Sequence, residues 1–98
     1  MAEFEHEPAK AASNKRKHGV TFEEAESMWN DSPESFFDPE HSDFEHRYIA
    51  IGFSARGRLL TVSLTYRTGG TVRIISARKA TNKEVARYEK AKREKGQI

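Results

Sequence analysis

The sequence predicts an α+β fold: an antiparallel β-sheet meander with two N-terminal helices before it and a C-terminal helix after it. Three observations carry that expectation. Two capping boxes, Thr21-Phe22-Glu23-Glu24 and Thr81-Asn82-Lys83-Glu84, open helical segments. Arg47–Phe53 and Arg58–Tyr66 read as strands, the second alternating Leu60, Val62, Leu64 and Tyr66 against Leu59, Thr61, Ser63 and Thr65. Glycine-bearing turns, Ser54-Ala55-Arg56-Gly57 and Thr68-Gly69-Gly70, join these strands to each other and to a third run, Thr71–Arg78.

Taken in order, Phe4 begins a short strand that stops at Glu7-Pro8. Proline fits the first helical turn, where its missing N–H would have been unpaired anyway. A helix from Pro8 to His18 follows, weakly apolar through Ala9, Ala11 and Ala12, with Gly19 placed for a left-handed cap. The second helix starts at the Thr21 box. Phe22, Ala25, Met28 and Trp29 form its buried stripe, and Asn30-Asp31-Ser32-Pro33 ends it. Ser35-Phe36-Phe37 is a brief strand before an acidic, loop-like stretch reaching His46. Thr71–Arg78 has mixed faces, which suits a central strand. The last helix runs from Asn82 to about Glu94, with Val85 and Tyr88 facing the sheet. Helices on one sheet face leave the other free for a site.

With 98 residues, the chain fits one small domain, expected to span residues 1–98, and excludes folds built from two nucleotide-binding halves. No apolar run reaches the ~20 residues of a bilayer span, so no membrane partner is expected. The chain has 0 cysteines, which excludes disulfides, thiolate zinc sites and thiol nucleophiles. The N-terminal residues lack the basic start and apolar stretch of a secretory signal, so the expected location is cytoplasmic. The net charge of +2 hides an asymmetry: residues 1–50 carry 5 Lys+Arg against 12 Asp+Glu, residues 51–98 carry 12 against 3. The second half therefore presents a cationic surface suited to phosphates or an acidic protein.

The sequence holds no phosphate-binding glycine loop, no His-Glu-x-x-His and no Gly-x-Ser-x-Gly elbow. Asp38, Glu40, His41, Asp43, Glu45 and His46 offer metal donors, but without ligand spacing they read as a solvated loop, and no metal or other cofactor is expected. Arginines gather instead on and beside the strands: Arg47, Arg56, Arg58, Arg67, Arg73 and Arg78. A guanidinium is a permanent cation with a planar fork of donors, suited to a phosphodiester and its pentacoordinate transition state. RNA cleavage without metal can use this chemistry, because the 2′-hydroxyl is the nucleophile and the protein need only move protons and neutralise charge. Singly, a surface arginine also serves solubility. Arg73 and Arg78 lie five positions apart, so on an unbulged strand they point to opposite faces. His18 can exchange protons near neutral pH or simply complement the helix dipole. Tyr88 can donate a proton or simply pack.

Phe4-Glu5-x-x-Pro8-x-Lys10-x-x-x-Asn14-x-x-Lys17-His18-Gly19-Val20-x-Phe22-x-x-Ala25, then Arg47-x-x-x-Ile51-Gly52, then Arg73-Ile74-Ile75-Ser76-Ala77-Arg78-x-Ala80-x-x-x-Glu84-x-x-x-Tyr88, resembles the BrnT family of toxins along nearly the whole chain. The resemblance implies a RelE-like fold and a metal-independent ribonuclease that inhibits translation. It also implies a cognate BrnA-type antitoxin, through which alone DNA is contacted. By position it marks Lys17, His18, Arg47, Arg73, Arg78, Glu84 and Tyr88. Arg47 and Arg78 are assigned to phosphate and transition-state stabilisation, His18 or Tyr88 to proton transfer, and Glu84 to helix capping. Lys17, Arg58, Arg73 and Lys79 are the candidate RNA contacts. One departure stands out: the family usually has Phe-Glu-Trp-Asp where this chain has Phe4-Glu5-His6-Glu7, an imidazole in place of a packing aromatic. The alternative from another class is a non-catalytic module whose basic half acts as a co-repressor within an antitoxin–DNA complex.

Overall fold

The computed structural model describes residues 3–96. Strands β1 (Phe4–Glu5), β2 (Glu34–Phe37), β3 (Arg47–Phe53), β4 (Leu59–Tyr66) and β5 (Val72–Lys79) form one sheet in the order β1-β5-β4-β3-β2. Helices α1 (Pro8–His18) and α2 (Phe22–Glu26) precede β2, and α3 (Asn82–Gly96) closes the chain. From β2 to β5 the sheet is the expected antiparallel meander, whereas β1 joins β5 in parallel, making the sheet mixed. β4 is the middle strand, and β5, paired with β1 on one side and β4 on the other, is interior to the sheet, as its mixed faces suggest.

The alternation along β4 sorts the sheet into two faces. Leu60, Val62 and Leu64 join Ala50, Val72, Ile74 and Ala77 on a core face, packed against Val20, Phe22, Ala25 and Met28. Each large side chain buried there contributes about 1.5–3 kcal/mol. The second helix is shorter than its apolar stripe, because after Glu26 the chain tightens into a 3₁₀ turn over Ser27–Asp31. Met28 stays in the core, while Trp29 is half-buried and packs edge-on against Phe4, with centroids 5.2 Å apart. His6 meets Phe22 edge-on at 5.2 Å, so the imidazole does fill an aromatic packing position.

Two close approaches depend on single residues. A Cβ at Gly52 would lie 2.9 Å from the Pro33 Cβ, so only glycine lets the segment entering β2 pass over β3. β1 covers only Val72 and Arg73 of the β5 edge, and Asn14 of α1 covers part of the rest. Its amide donates to the carbonyls of Ala77 (2.8 Å) and Val20 (2.9 Å) and accepts from the Ala77 N–H (3.0 Å). A buried asparagine thereby stands in for a neighbouring strand, the satisfied arrangement a buried amide requires.

The second face is not wholly free. α3 crosses it over β2 and β3, burying Tyr88 against Phe53 (5.7 Å) and setting the Arg87 guanidinium 3.9 Å above the Phe36 ring. Lys92 and Lys95 hold the end of α3 on the buried Glu34 at 3.2 and 2.7 Å. Those ammonium groups, Lys95 first, keep the Glu34 carboxyl below the ordinary carboxylate range against the cost of burial.

Candidate active site on the far face of the sheet

A β-bulge decides where the arginines of β5 point. Ser63 pairs with Ser76 but Leu64 pairs with Ile74, so Ile75 is an extra residue. Arg78 therefore stands opposite Thr61 and Arg73 opposite Thr65, four residues apart on β4, which places both arginines on the far face. The expectation of opposite faces held only for an unbulged strand. Arg47 of β3 also pairs with Thr65, and Glu5 of β1 pairs with Arg73. The far face thus carries a row Glu5, Arg73, Thr65, Arg47 at one end and a row Arg78, Thr61, Ile51, Glu34 at the other. The two rows are about 13 Å apart along the strands. Ser76 and Ser63 lie between them.

The three guanidiniums differ in how far they are engaged. Arg78 makes a two-pronged pair with Glu84, at 2.7 and 2.8 Å. Glu84 also accepts from the Thr81 N–H (2.8 Å) and the Thr61 hydroxyl (2.9 Å), while its own N–H donates to the Thr81 hydroxyl (3.3 Å). The capping box is complete, as expected of Glu84, and it also clamps an arginine. The Arg78 hydrogen bonds hold the Glu84 carboxyl down at about 2, and the same pairing raises the Arg78 guanidinium above its ordinary value. Arg73 reaches Glu7 at 2.8 Å and Glu5 at 3.5 Å. Among the described residues Arg47 has only Glu45, at 3.6 Å, and its buried Nε finds no hydrogen-bond acceptor. Of the three it is the cation with the most donor capacity left.

Lys17 and His18 sit at the end of α1, where they line a cleft of about 240 Å³ against Ile75 and Ser76. They therefore flank the face between its two arginine rows. Both are exposed.

The remaining candidates fall elsewhere. Arg58 is on the turn before β4 and clamps Glu24 of α2, its Nε donating at 2.9 Å and its terminal nitrogen binding the other carboxylate oxygen. Arg56 lies 3.9 Å from the same carboxylate, and Arg67 binds Glu5 at 3.2 Å. Lys79 pairs with Leu60, hence points to the side opposite Arg78. Tyr88 is buried against Phe53 under α3. So Arg47, Arg73 and Arg78 share a face, with Lys17 and His18 at its edge, while Arg58 and Lys79 stand apart from it and Tyr88, though on that face, is buried under α3. Asn14, which holds α1 and hence Lys17 and His18 against β5, is among the positions that carry the family resemblance, but its local pattern gives no sign of the role it has across 63 positions to Ala77.

Residues 6–84 match the model of the family described as "Ribonuclease toxin, BrnT, of type II toxin-antitoxin system". The chain belongs to the BrnT toxin family. The family carries a ribonuclease activity and an antitoxin partner in its description, and both apply to this chain at that level. The fold agrees with that of the Brucella abortus ribonuclease toxin BrnT, solved at 1.1 Å. The two are 24% identical over 84% of this chain and 100% of that one, with a TM-score of 0.65. A comparison with curated proteins gave no match. No described helix is long and apolar enough to cross a membrane.

Proposed function

We propose that the far face of the sheet cleaves RNA without a metal ion, with the substrate's own 2′-hydroxyl as nucleophile. The hydroxyl oxygen attacks the adjacent phosphorus as its proton is removed. The bond from phosphorus to the 5′-oxygen then breaks and that oxygen is protonated, leaving a 2′,3′-cyclic phosphate and a 5′-hydroxyl. The observation that carries this reading is Arg47, held more loosely by its carboxylate, Glu45 at 3.6 Å, than Arg73 and Arg78 are by theirs, on the face that bears all three. Arg47 binds the non-bridging oxygens and neutralises the pentacoordinate centre, Arg73 steadies the neighbouring backbone, and Arg78 is held in place by Glu84. His18, exposed beside Ser76, is the proton carrier, with Lys17 as a further phosphate contact. Tyr88 is left to packing by its burial, and Arg58 to structure by its clamp on Glu24.

In this reading the cleaved RNA stops translation in the cytoplasm. A BrnA-type antitoxin neutralises the chain, and DNA is reached only through that antitoxin. The decisive experiment incubates purified protein with RNA in EDTA and analyses the product ends. Cleavage leaving 2′,3′-cyclic phosphate ends is expected. Arg47→Ala is expected to cut about 100-fold more slowly with a nearly unchanged thermal midpoint, since among the described residues its Nε has no hydrogen-bond partner and its pairing with Glu45 is long, at 3.6 Å. RNA binding without cutting in EDTA, or an Arg47→Ala variant as fast as the parent, would overturn the proposal. Binding without cutting under any metal condition would favour the co-repressor module.

A further inference from the structure

The end of the sheet away from α3 carries an aromatic surface that the ribonuclease reading does not use. Phe37, Tyr48 and Tyr66 run across β2, β3 and β4 on the core face, each edge-on to the next, at 5.6 and 5.1 Å. His46 extends the row, 5.5 Å from Phe37. Phe37 and Tyr66 are 48% and 45% exposed, and Phe44 at the tip of the neighbouring loop is wholly exposed. A groove of about 400 Å³ opens between Glu45, Tyr48, Tyr66 and Arg67. Exposed aromatics gathered at one end of a small protein mark an interaction site.

The rim identifies the occupant. Residues 38–46 contain Asp38, Glu40, Asp43 and Glu45 and no lysine or arginine, in a chain whose net charge is +2. Such a rim repels RNA phosphates, although aromatic rings by themselves could stack on bases. It also opposes a second copy of this chain, since self-pairing would set two acidic rims together. A basic, apolar polypeptide segment satisfies both the rings and the carboxylates.

We propose that Phe37, Phe44 and Tyr66, rimmed by Glu40, Asp43 and Glu45, dock a basic and apolar segment of the partner antitoxin. The inference rests on the family's toxin–antitoxin pairing and is independent of which residues cut RNA. It also explains neutralisation by geometry. Arg47 borders the same loop, lining a cleft with Phe44 and Glu45, so a segment seated there covers the least committed guanidinium of the far face.

The test measures binding of the full-length chain to its co-expressed antitoxin by calorimetry, with RNA cleavage by the free toxin assayed separately. Phe44→Ala combined with Phe37→Ala is expected to weaken the complex at least tenfold and to leave cleavage by the free toxin unchanged. Asp43→Lys with Glu40→Lys is expected to weaken it further at low salt than at high salt. A circular dichroism melt confirms folding, and the exposure of Phe44 makes Phe44→Ala alone a fallback readout. Unchanged antitoxin affinity in these variants would overturn the proposal. So would a loss of RNA binding instead, or a dimer of the free chain that the same variants dissociate. If antitoxin affinity falls as expected but the parent never cuts RNA, the docking surface stands and the ribonuclease site falls.

Discussion

Two helices of this chain begin with the same Thr-x-x-Glu pattern, yet their glutamates serve opposite sides of the sheet. At Thr81 the box closes in both directions, and Glu84 adds Thr61 and Arg78 to its partners. At Thr21 only half of it forms. The Thr21 hydroxyl accepts from the Glu24 N–H at 3.0 Å, but the Glu24 carboxylate turns away to the Ser54 hydroxyl (2.7 Å) and to Arg58. Glu24 is thereby spent fastening α2 to the β3–β4 turn, with its side chain 5% exposed, while Glu84 orients an arginine that faces the open half of the sheet. The same local sequence signal therefore supports structure in one place and positions a candidate functional cation in the other. The difference lies in which arginine the tertiary fold delivers.

The largest effect expected from this contrast is on stability. Glu24→Ala leaves Arg58 without its carboxylate and Ser54 without its acceptor, in a site more enclosed than that of Glu84. Removing the enclosed carboxylate from this partly exposed pair is expected to lower the thermal midpoint more than Glu84→Ala does. Chemical denaturation of Glu24→Ala beside Glu84→Ala measures the difference directly. Equal losses in the two would mean that the half-formed box is no more structural than the closed one.

How much of this is legible in the sequence follows from the range of each interaction. The Thr81 box, the threonine half of the Thr21 box, the Gly19 cap and the alternation of β4 are local patterns, and each forms where the sequence places it, whereas the Glu24 carboxylate is drawn off by Ser54 and Arg58, more than twenty-five positions away. The parallel pairing of β1 joins residues nearly seventy positions apart, beyond the reach of periodicity. The bulge at Ile75 carries no glycine or other local mark, yet it alone brings Arg73 and Arg78 to one face. Arg47, Arg73 and Arg78 could be named as candidates from residue type and resemblance. Their unequal engagement could not, because Glu5, Glu7, Glu45 and Glu84 look alike in sequence and differ only in what they meet.

A second, smaller effect separates the two glutamates by pH. Glu84 titrates at about 2 in the folded chain against an ordinary 4.5, so the unfolded chain takes up its proton first as acid is added. The stabilisation from this group is complete above pH 4.5 and is lost as the pH falls from there toward 2. Glu24 is likewise held low, chiefly by its hydrogen bond from Arg58, and contributes a slope of the same sign. Glu84→Gln should therefore flatten part of the acid limb of a stability-versus-pH curve while leaving the Glu24 part. An unchanged limb in Glu84→Gln would show that Arg78 and Glu84 are not paired in solution.

The smallest expected effect dissects the closed box itself. Thr61 is 3% exposed, and its hydroxyl supplies one of the hydrogen bonds to Glu84. Thr61→Val keeps the branched shape that suits a central strand and removes only that donor. Glu84 keeps the Thr81 N–H and both prongs from Arg78, so no carboxylate oxygen is orphaned. The loss should be about 1 kcal/mol, the net worth of one such bond, measured by urea unfolding. RNA cleavage should respond differently according to what Arg78 does. If the guanidinium is only a stabiliser of α3, its slight loosening leaves cleavage untouched. If it faces the phosphate, cleavage falls severalfold at a temperature where the variant is still fully folded, and that loss would place the Glu84 clamp on the functional side of the comparison.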